Sequence, residues 1–313
     1  MKLIVTQRIA LSENVIEFQL RSAEGHTLPA WQAGAHLALT LPGLTSASPM
    51  RHYSLVGNPD ERDVYRIAVL RNTNGQGGSR HMHDSLHTGA MVDASGPHHT
   101  FSLVKPQGRT VLLAGGIGIT PLLSMAHALS RQGQQCELHY VARSLAHMVL
   151  LDEFVSIPGC TITTYATDRA GVPDLGAILR SDDSGAIVYA CGPVPMLQTL
   201  KQRAAELGWP GDAIRVESFG TRQQQHDGPL AVHLAASDMR IDVMPGNSIL
   251  DALIDAGMFV SYDCRRGECG HCFTPVLEGA VSHRDVCLSP EQRKTGMCPC
   301  VSWAAGDTLV LDL

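Results

Sequence analysis

From Met1 to about Leu103, apolar and polar positions alternate with a period of two in short runs, Ile4 to Ile9, Val15 to Leu20, His36 to Leu41 and Tyr65 to Leu70, separated by Gly, Pro and Asn turns. Such runs are strands with one buried face, and several in succession predict a small antiparallel β-barrel or sandwich over residues 1–104. The texture then changes. Thr110 to Ala114, Glu137 to Val141, Thr161 to Ala166 and Ala186 to Ala190 are more continuously apolar and alternate with stretches of helical period, which predicts parallel βαβ units and a doubly wound α/β domain over residues 105–220. Residues 221–228 (TRQQQHDG) are polar, Gln-rich and without periodicity, so they read as a linker. In the last segment, residues 229–313, Leu230 to Leu234 and Arg240 to Met244 predict a hairpin, and Asn247 or Ser248 is placed to cap a helix running to Ala256. No internal repeat is present.

Composition agrees with several cores: 313 residues at 44% hydrophobic content exceed what one ordinary domain buries. The net charge of −6 and the scattered Lys and Arg residues exclude a nucleic-acid or anionic-membrane surface. No apolar run approaches the ~20 residues of a membrane span, and the first residues alternate like a strand, so a cytoplasmic protein is expected; the sequence leaves the oligomeric state open, with a monomer favoured. Nine cysteines is an odd number, concentrated toward the C-terminus, which suits a metal or cluster site in a reducing compartment better than a disulfide framework.

Cys264-Arg-Arg-Gly-Glu-Cys269-Gly-His-Cys272 has the C-x4-C-x2-C spacing of plant-type [2Fe–2S] sites, and a distant fourth cysteine is available in Met297-Cys298-Pro-Cys300-Val301. Gly267 and Gly270 allow backbone N–H groups to turn toward an anionic cluster. Buried cysteines or a zinc site of the C-x2-C type are the competing readings. Cys300 is the expected fourth ligand, because it precedes Val301 on an apparent strand whereas Cys298 is pinned by Pro299. Cys136, Cys160 and Cys287 have no matching spacing and read as small buried hydrophobes.

With these residues in place, the region from Asp242 to Leu313 resembles a plant-type ferredoxin, an α+β β-grasp fold. The whole chain resembles the phthalate dioxygenase reductase and vanillate demethylase reductase family, whose members feed electrons to Rieske-type oxygenases. The resemblance implies that Arg51-His52-Tyr53-Ser54-Leu55 is the family's flavin motif. Tyr53 offers an aromatic edge and hydroxyl to the ring, Ser54 a hydrogen bond near the flavin N5, and Arg51 a fork for a phosphate. Asn74-Gly-Gln-Gly77-Gly78-Ser79, leading into a predicted helix through Leu86, resembles the second phosphate contact. A single terminal phosphate served by Arg51 and Ser79 implies FMN, with FAD as the alternative.

Leu112-Leu-Ala-Gly115-Gly116-Ile117-Gly118-Ile119-Thr120-Pro121 follows a predicted strand and opens a helix, the setting in which a pyrophosphate rests on a helix N-terminus. The family carries GGIGITP at this place and Cys191-Gly192-Pro193 after a later strand, which implies that Cys191 stands beside the nicotinamide; a small residue at a strand end is the other reading. Arg143 and Ser144 follow the second strand where an acidic residue would mark NAD, and they can accommodate a 2′-phosphate, yet the resemblance implies NADH. Glu217-Ser218-Phe219 ends the segment much as in the family, which implies that Phe219 places an aromatic ring near the flavin; a domain-edge core residue is the other reading. The implied activity is hydride transfer from NADH to FMN, followed by single-electron transfer to the [2Fe–2S] cluster and to a Rieske-type oxygenase. An FAD-containing reductase for a diiron monooxygenase or cytochrome is the alternative. Positioning residues carry this chemistry, so no Ser-His-Asp or paired-carboxylate site is sought, and His98 and His99 read as surface or packing residues. Arg265 and Arg266 are expected to raise the cluster potential or to meet acidic groups on a partner.

Overall fold

The computed structural model describes residues 1–41, 43–44, 50–73, 77–105, 108–179, 185–219 and 227–313, which fall into two compact units divided after Phe219. No helix among the described residues is long and apolar enough to cross a membrane.

The first unit opens with β1 (Lys2–Ser12), β2 (Val15–Ser22), β3 (His36–Thr40), β4 (Met50–Ser54), β5 (Tyr65–Leu70), α1 (Gly78–Ser85) and β6 (Met91–His98). The strands form one antiparallel sheet in the order β4-β3-β6-β1-β2-β5. A bridge between Val56 and Arg66 brings its two edges together, as a barrel requires. Alternate residues, Leu3, Val5, Phe18, Leu20, Leu37, Leu39, Tyr65, Ile67 and Val69, fill the interior. The alternation therefore places the early strands well. It does not reveal β6, because Ser95, Gly96 and Pro97 interrupt its pattern.

The same unit continues with β7 (Thr110–Gly115), α2 (Ile119–Arg131), β8 (Cys136–Ala142), α3 (Leu151–Val155), β9 (Cys160–Ala166), α4 (Thr167–Ala170), α5 (Leu175–Ile178), β10 (Ile187–Gly192), α6 (Val194–Glu206) and β11 (Ile214–Ser218). All five strands are parallel, in the order β11-β10-β7-β8-β9. Central strands β7 and β10 are buried at every position, which is why they read as continuous apolar runs. The strand order reverses between β7 and β10, so the switch point of this sheet lies where the carboxyl ends of those two strands meet.

The barrel and the parallel sheet share a core. Val15, Ala33, Val56, Ala68 and Phe101 pack in one cluster with Leu112, Leu122, Met125 and Tyr189. The Gly34 N–H donates to the buried Ser124 hydroxyl at 2.9 Å. Arg66 of β5 pairs with Glu17 of β2 at 2.7 Å and with Glu153 of α3 at 2.6 Å. Burial by itself would lower the Arg66 pKa, and the hydrogen bonds and charges of Glu153 and Glu17 together raise it, so the guanidinium stays charged.

The second unit holds β12 (Leu230–Leu234), β13 (Met239–Val243), α7 (Ile249–Asp255), β14 (Thr274–Glu278), β15 (Val281–Ser282), α8 (Pro290–Thr295), β16 (Gly296–Met297), β17 (Trp303–Ala304) and β18 (Thr308–Leu311). Its mixed sheet runs β13-β12-β18-β14-β16, with β12 and β18 parallel, and β15 pairs separately with β17. Ser248, rather than Asn247, caps α7, its hydroxyl accepting from the Asp251 N–H at 3.0 Å. Of the predicted linker, residues 221–226 lie outside the described residues, and Asp227 is already engaged with Arg284.

Candidate functional site

In the first unit, β4 carries Arg51, His52, Tyr53 and Ser54 along the barrel edge, paired in register with β3. Arg51 and Tyr53 are two residues apart on one face of the strand. Burial lowers the Arg51 pKa and pushes the Tyr53 phenol up, with each ion tempering the other. His52 is exposed, its ring 5.1 Å from that of His36. Gly78 opens α1 directly beneath Arg51, and a Cβ there would overlap the Arg51 Nε. The α1 N-terminus begins at Gly77, which holds φ at 83° and has no side chain to cap it. First-turn N–H groups and a guanidinium thus converge, the chemistry a phosphate requires. The Ser79 hydroxyl accepts from the Asn72 N–H at 2.9 Å, so it also anchors the loop that precedes α1. Asn74, Gly75 and Gln76 lie outside the described residues.

At the switch point, the glycine motif and the Cys191-Gly192-Pro193 motif are packed against each other. A Cβ on Gly118 would overlap the Cys191 carbonyl oxygen, one on Gly115 would come to 2.6 Å from Pro193 Cδ, and one on Gly192 to 2.9 Å from the Gly115 Cα. Gly116 differs: its φ is +55° and nothing stands within 4 Å of its missing Cβ. This is open backbone in the turn that leads into α2, the room a pyrophosphate would need beside a helix N-terminus. Thr120 is buried and donates to the Ile117 carbonyl at 3.0 Å, and Pro121 is buried behind it. Arg143 is exposed at the end of β8, its carbonyl accepting from the Asp168 N–H at 2.9 Å, while the Ser144 hydroxyl contacts His147 Nδ1 at 2.7 Å.

One residue that the motif reading quoted but gave no role completes this arrangement. Glu217 of β11 is 1% exposed, lies opposite Cys191 in the parallel register, and has its Oε2 3.5 Å from the Ser54 hydroxyl. The flavin motif and the nucleotide motif therefore meet at Ser54, Glu217 and Cys191. Cys191 is itself fully buried, and Phe219, just beyond β11, is 41% exposed. The sequence offered little signal for Glu217, because β11 is only partly buried and an acid at such a position is ordinary until its partner is known.

In the second unit the C-x4-C-x2-C loop brings its sulfurs together with Cys300. Cys272 and Cys300 have their sulfurs 3.3 Å apart, both nearly buried. The N–H groups of Arg266 and Glu268 donate to the Cys264 sulfur at 3.4 Å. The Cys298 and Cys300 sulfurs draw the Cys272 pKa down, and the same contact with Cys272 pushes the Cys300 thiol up, so these neighbouring sulfurs share a proton. Cys269 is exposed, and burial of its sulfur pushes its pKa up to about 11. Four sulfurs with inward backbone donors fit a [2Fe–2S] cluster better than a set of inert core cysteines. Cys300 is not on a strand, contrary to expectation. Residues 299–301 form a turn, because the N–H groups of Val301 and Ser302 both bond the Cys298 carbonyl, at 3.2 and 3.0 Å. Arg265 and Arg266 are also less available than expected. Arg265 pairs with Asp251 at 3.2 Å and lies over the Tyr262 ring, and Arg266 pairs with the largely buried Glu268 at 3.1 Å.

Comparison with known proteins follows the same division. Residues 2–103 match the family described as oxidoreductase FAD-binding domain, residues 112–202 the oxidoreductase NAD-binding domain, and residues 232–305 the 2Fe-2S iron-sulfur cluster binding domain. The chain is 38% identical over 306 residues to the phenoxybenzoate dioxygenase subunit beta of Ectopseudomonas oleovorans, covering 96% of this chain and 94% of that protein. It is 36% identical to the oxidoreductase NdmD of Pseudomonas putida over 92% of this chain, and spans half the length of that protein (50%). The solved phthalate dioxygenase reductase, described as a modular structure for electron transfer from pyridine nucleotides to [2Fe–2S], is 32% identical with a TM-score of 0.74, over 100% of this chain and 98% of that one. With all three modules matched in order, the chain belongs to the phthalate dioxygenase reductase-like family of reductases, which pass electrons from NAD(P)H through a flavin to a C-terminal [2Fe–2S] cluster.

Proposed function

We propose that this protein is the NADH-dependent reductase component of a two-component Rieske-type oxygenase, with FMN as its flavin. The observation that carries the reading is the meeting of Ser54, Glu217 and Cys191, which joins the flavin motif to the switch point of the nucleotide sheet. A bound flavin supplies a carrier that takes up a hydride pair and releases electrons singly, as a [2Fe–2S] cluster requires. Arg51 and the N-terminus of α1 bind the flavin phosphate. One terminal phosphate is what a guanidinium over a single helix N-terminus suits, and this favours FMN over FAD. Gly116 and the α2 N-terminus hold the nucleotide pyrophosphate, with Gly115, Gly118, Thr120, Pro121, Gly192 and Pro193 shaping that cradle. Arg143 sits beyond β8 on the ribose side. Ser54, whose hydroxyl donates to the Glu217 carboxylate, is held with its oxygen toward the reacting edge of the ring, Cys191 closes the nicotinamide side, and Phe219 covers the ring from the domain edge. Cys264, Cys269, Cys272 and Cys300 ligate the iron, and the Arg266 and Glu268 N–H groups stabilise the ligated Cys264 sulfur. Residues 1–104, 105–220 and 229–313 are the corresponding domains.

The oxygenase partner is supported by the names of relatives such as the phenoxybenzoate dioxygenase subunit beta. An anaerobic experiment tests the reading: NADH should bleach both flavin and cluster absorbance, and a Rieske oxygenase should restore both. Extracted flavin identified as FAD, or an equal kcat/KM for NADPH, would overturn the corresponding part of the assignment.

A further inference from the structure

The second unit holds two cysteines that the cluster reading does not use, Cys287 and Cys298, and their sulfurs stand 3.6 Å apart. Cys287 is half-buried on the segment between β15 and α8, and Cys298 is fully buried just after β16. No disulfide joins them. We propose that Cys287 and Cys298 form a redox-active dithiol, a modification site beside the cluster ligands that peroxide closes to a disulfide. The inference rests on the assignment of Cys300, rather than Cys298, as the fourth ligand.

The geometry is that of a mounted pair rather than of two core cysteines in passing contact. Cys287 is held by its neighbours. Asp285, fully buried, accepts from the Leu288 N–H at 3.1 Å, from Arg293 Nη2 at 3.1 Å and from the Ser302 hydroxyl at 3.4 Å. The Val286 N–H donates to the Gly267 carbonyl at 2.8 Å. Cys298 is held by the turn that its own carbonyl closes, through the N–H groups of Val301 and Ser302. A disulfide needs sulfurs at about 2.05 Å, so the pair must close from 3.6 Å. Exposure divides the roles: the oxidant reaches Cys287 first, and buried Cys298 resolves. The site also borders the cluster loop, since a Cβ on Gly270 would stand 3.7 Å from the Cys287 sulfur.

The oxidant is hydrogen peroxide, the two-electron reduction product of dioxygen and a by-product expected around any reductase that serves oxygen chemistry. The Cys287 sulfur, deprotonated, attacks one peroxide oxygen. An S–O bond forms, the O–O bond breaks, and the leaving hydroxide takes up the thiol proton as water. The Cys298 sulfur then attacks the sulfur of this sulfenic acid. The S–S bond forms, the S–O bond breaks, and the second proton leaves with a second water. The two thiols lose two electrons and two protons, and the peroxide is reduced to two waters. Two equivalents of a small thiol reverse the change.

The test uses the cluster-loaded protein treated with a small excess of hydrogen peroxide, quenched with N-ethylmaleimide and digested with trypsin. The expected product is the peptide Asp285–Arg293 joined to Thr295–Leu313, with fragmentation between Cys298 and Pro299 assigning the bridge to Cys298. Dithiothreitol should abolish it, and Cys287→Ser should never form it while keeping a full complement of iron. Separate alkylation of Cys287 and Cys298 after oxidation, a bridge from Cys287 to Cys272 or Cys300, or Cys287 carried to a sulfinic acid without a bridge overturns the proposal. If Cys298→Ser loses iron before any peroxide is added, the ligand assignment fails and the proposal with it. A missing bridge at full iron content overturns the dithiol alone.

Discussion

The Ser54 hydroxyl and the Glu217 carboxylate, one at the edge of the barrel and the other at the end of the parallel sheet, stand 3.5 Å apart although 163 residues separate them. Ser54 is 5% exposed and Glu217 is 1% exposed. A hydrogen bond contributes about 0.5–1.5 kcal/mol net. Replacing Ser54 by Ala, or Glu217 by Gln, is therefore expected to slow hydride transfer from NADH about twofold to tenfold, with flavin content retained. Stopped-flow measurement of flavin reduction checks this. Because the two groups act through each other, the double variant should be little slower than either single one, whereas additive losses would show that they act independently.

Arg51 and Gly78 make a second pair. A methyl group at Gly78 must push the Arg51 side chain aside, so Gly78→Ala should weaken flavin retention much as Arg51→Gln does. Each variant should purify with less flavin, and added FMN should restore absorbance only at raised concentration. The iron content should not change, since Cys264, Cys269, Cys272 and Cys300 lie in the other unit. Full flavin occupancy in both variants would argue that the phosphate sits elsewhere.

The glycines of the nucleotide motif should separate stability from binding. Gly118→Ala places a methyl group against the Cys191 backbone and should destabilise the fold by roughly 1–3 kcal/mol, seen as a lower Tm. Gly116→Val meets open space, at a left-handed backbone that costs about 1–2 kcal/mol, and its branched side chain fills the proposed pyrophosphate cradle. It should raise the KM for NADH strongly while flavin and cluster stay bound. An unchanged KM in Gly116→Val would remove the cradle from this position.

For the cluster, Cys300→Ser and Cys298→Ser are expected to differ. Serine is a poorer, harder ligand for iron, so Cys300→Ser should lose the cluster or bind it labile. It should still reduce a small artificial acceptor with NADH and fail with cytochrome c. Cys298→Ser should keep its iron and behave nearly like the parent. Iron analysis and the visible spectrum read the result directly, and a reversed pattern would exchange the two roles.

What the amino-acid sequence determined by itself was everything encoded locally. The period-two runs around Phe18 and Ile67 specify strands with one buried face, and the continuous run Thr110 to Ala114 specifies a strand covered on both sides. The spacing of Cys264, Cys269 and Cys272 is that of a cluster loop, and three sulfurs on one short loop need little more than the loop to stand together. Beyond the loop, tertiary structure decided. Cys300 sits in a turn closed by the Cys298 carbonyl, not on the strand its neighbours suggest. Arg265 and Arg266 are paired with Asp251 and Glu268 rather than held open. Glu217 is an unremarkable acid in a strand until β11 is laid beside β10 and the barrel edge is packed against both. Periodicity reports which face a residue turns to the core, and only the packing of distant elements reports which partner it finds there.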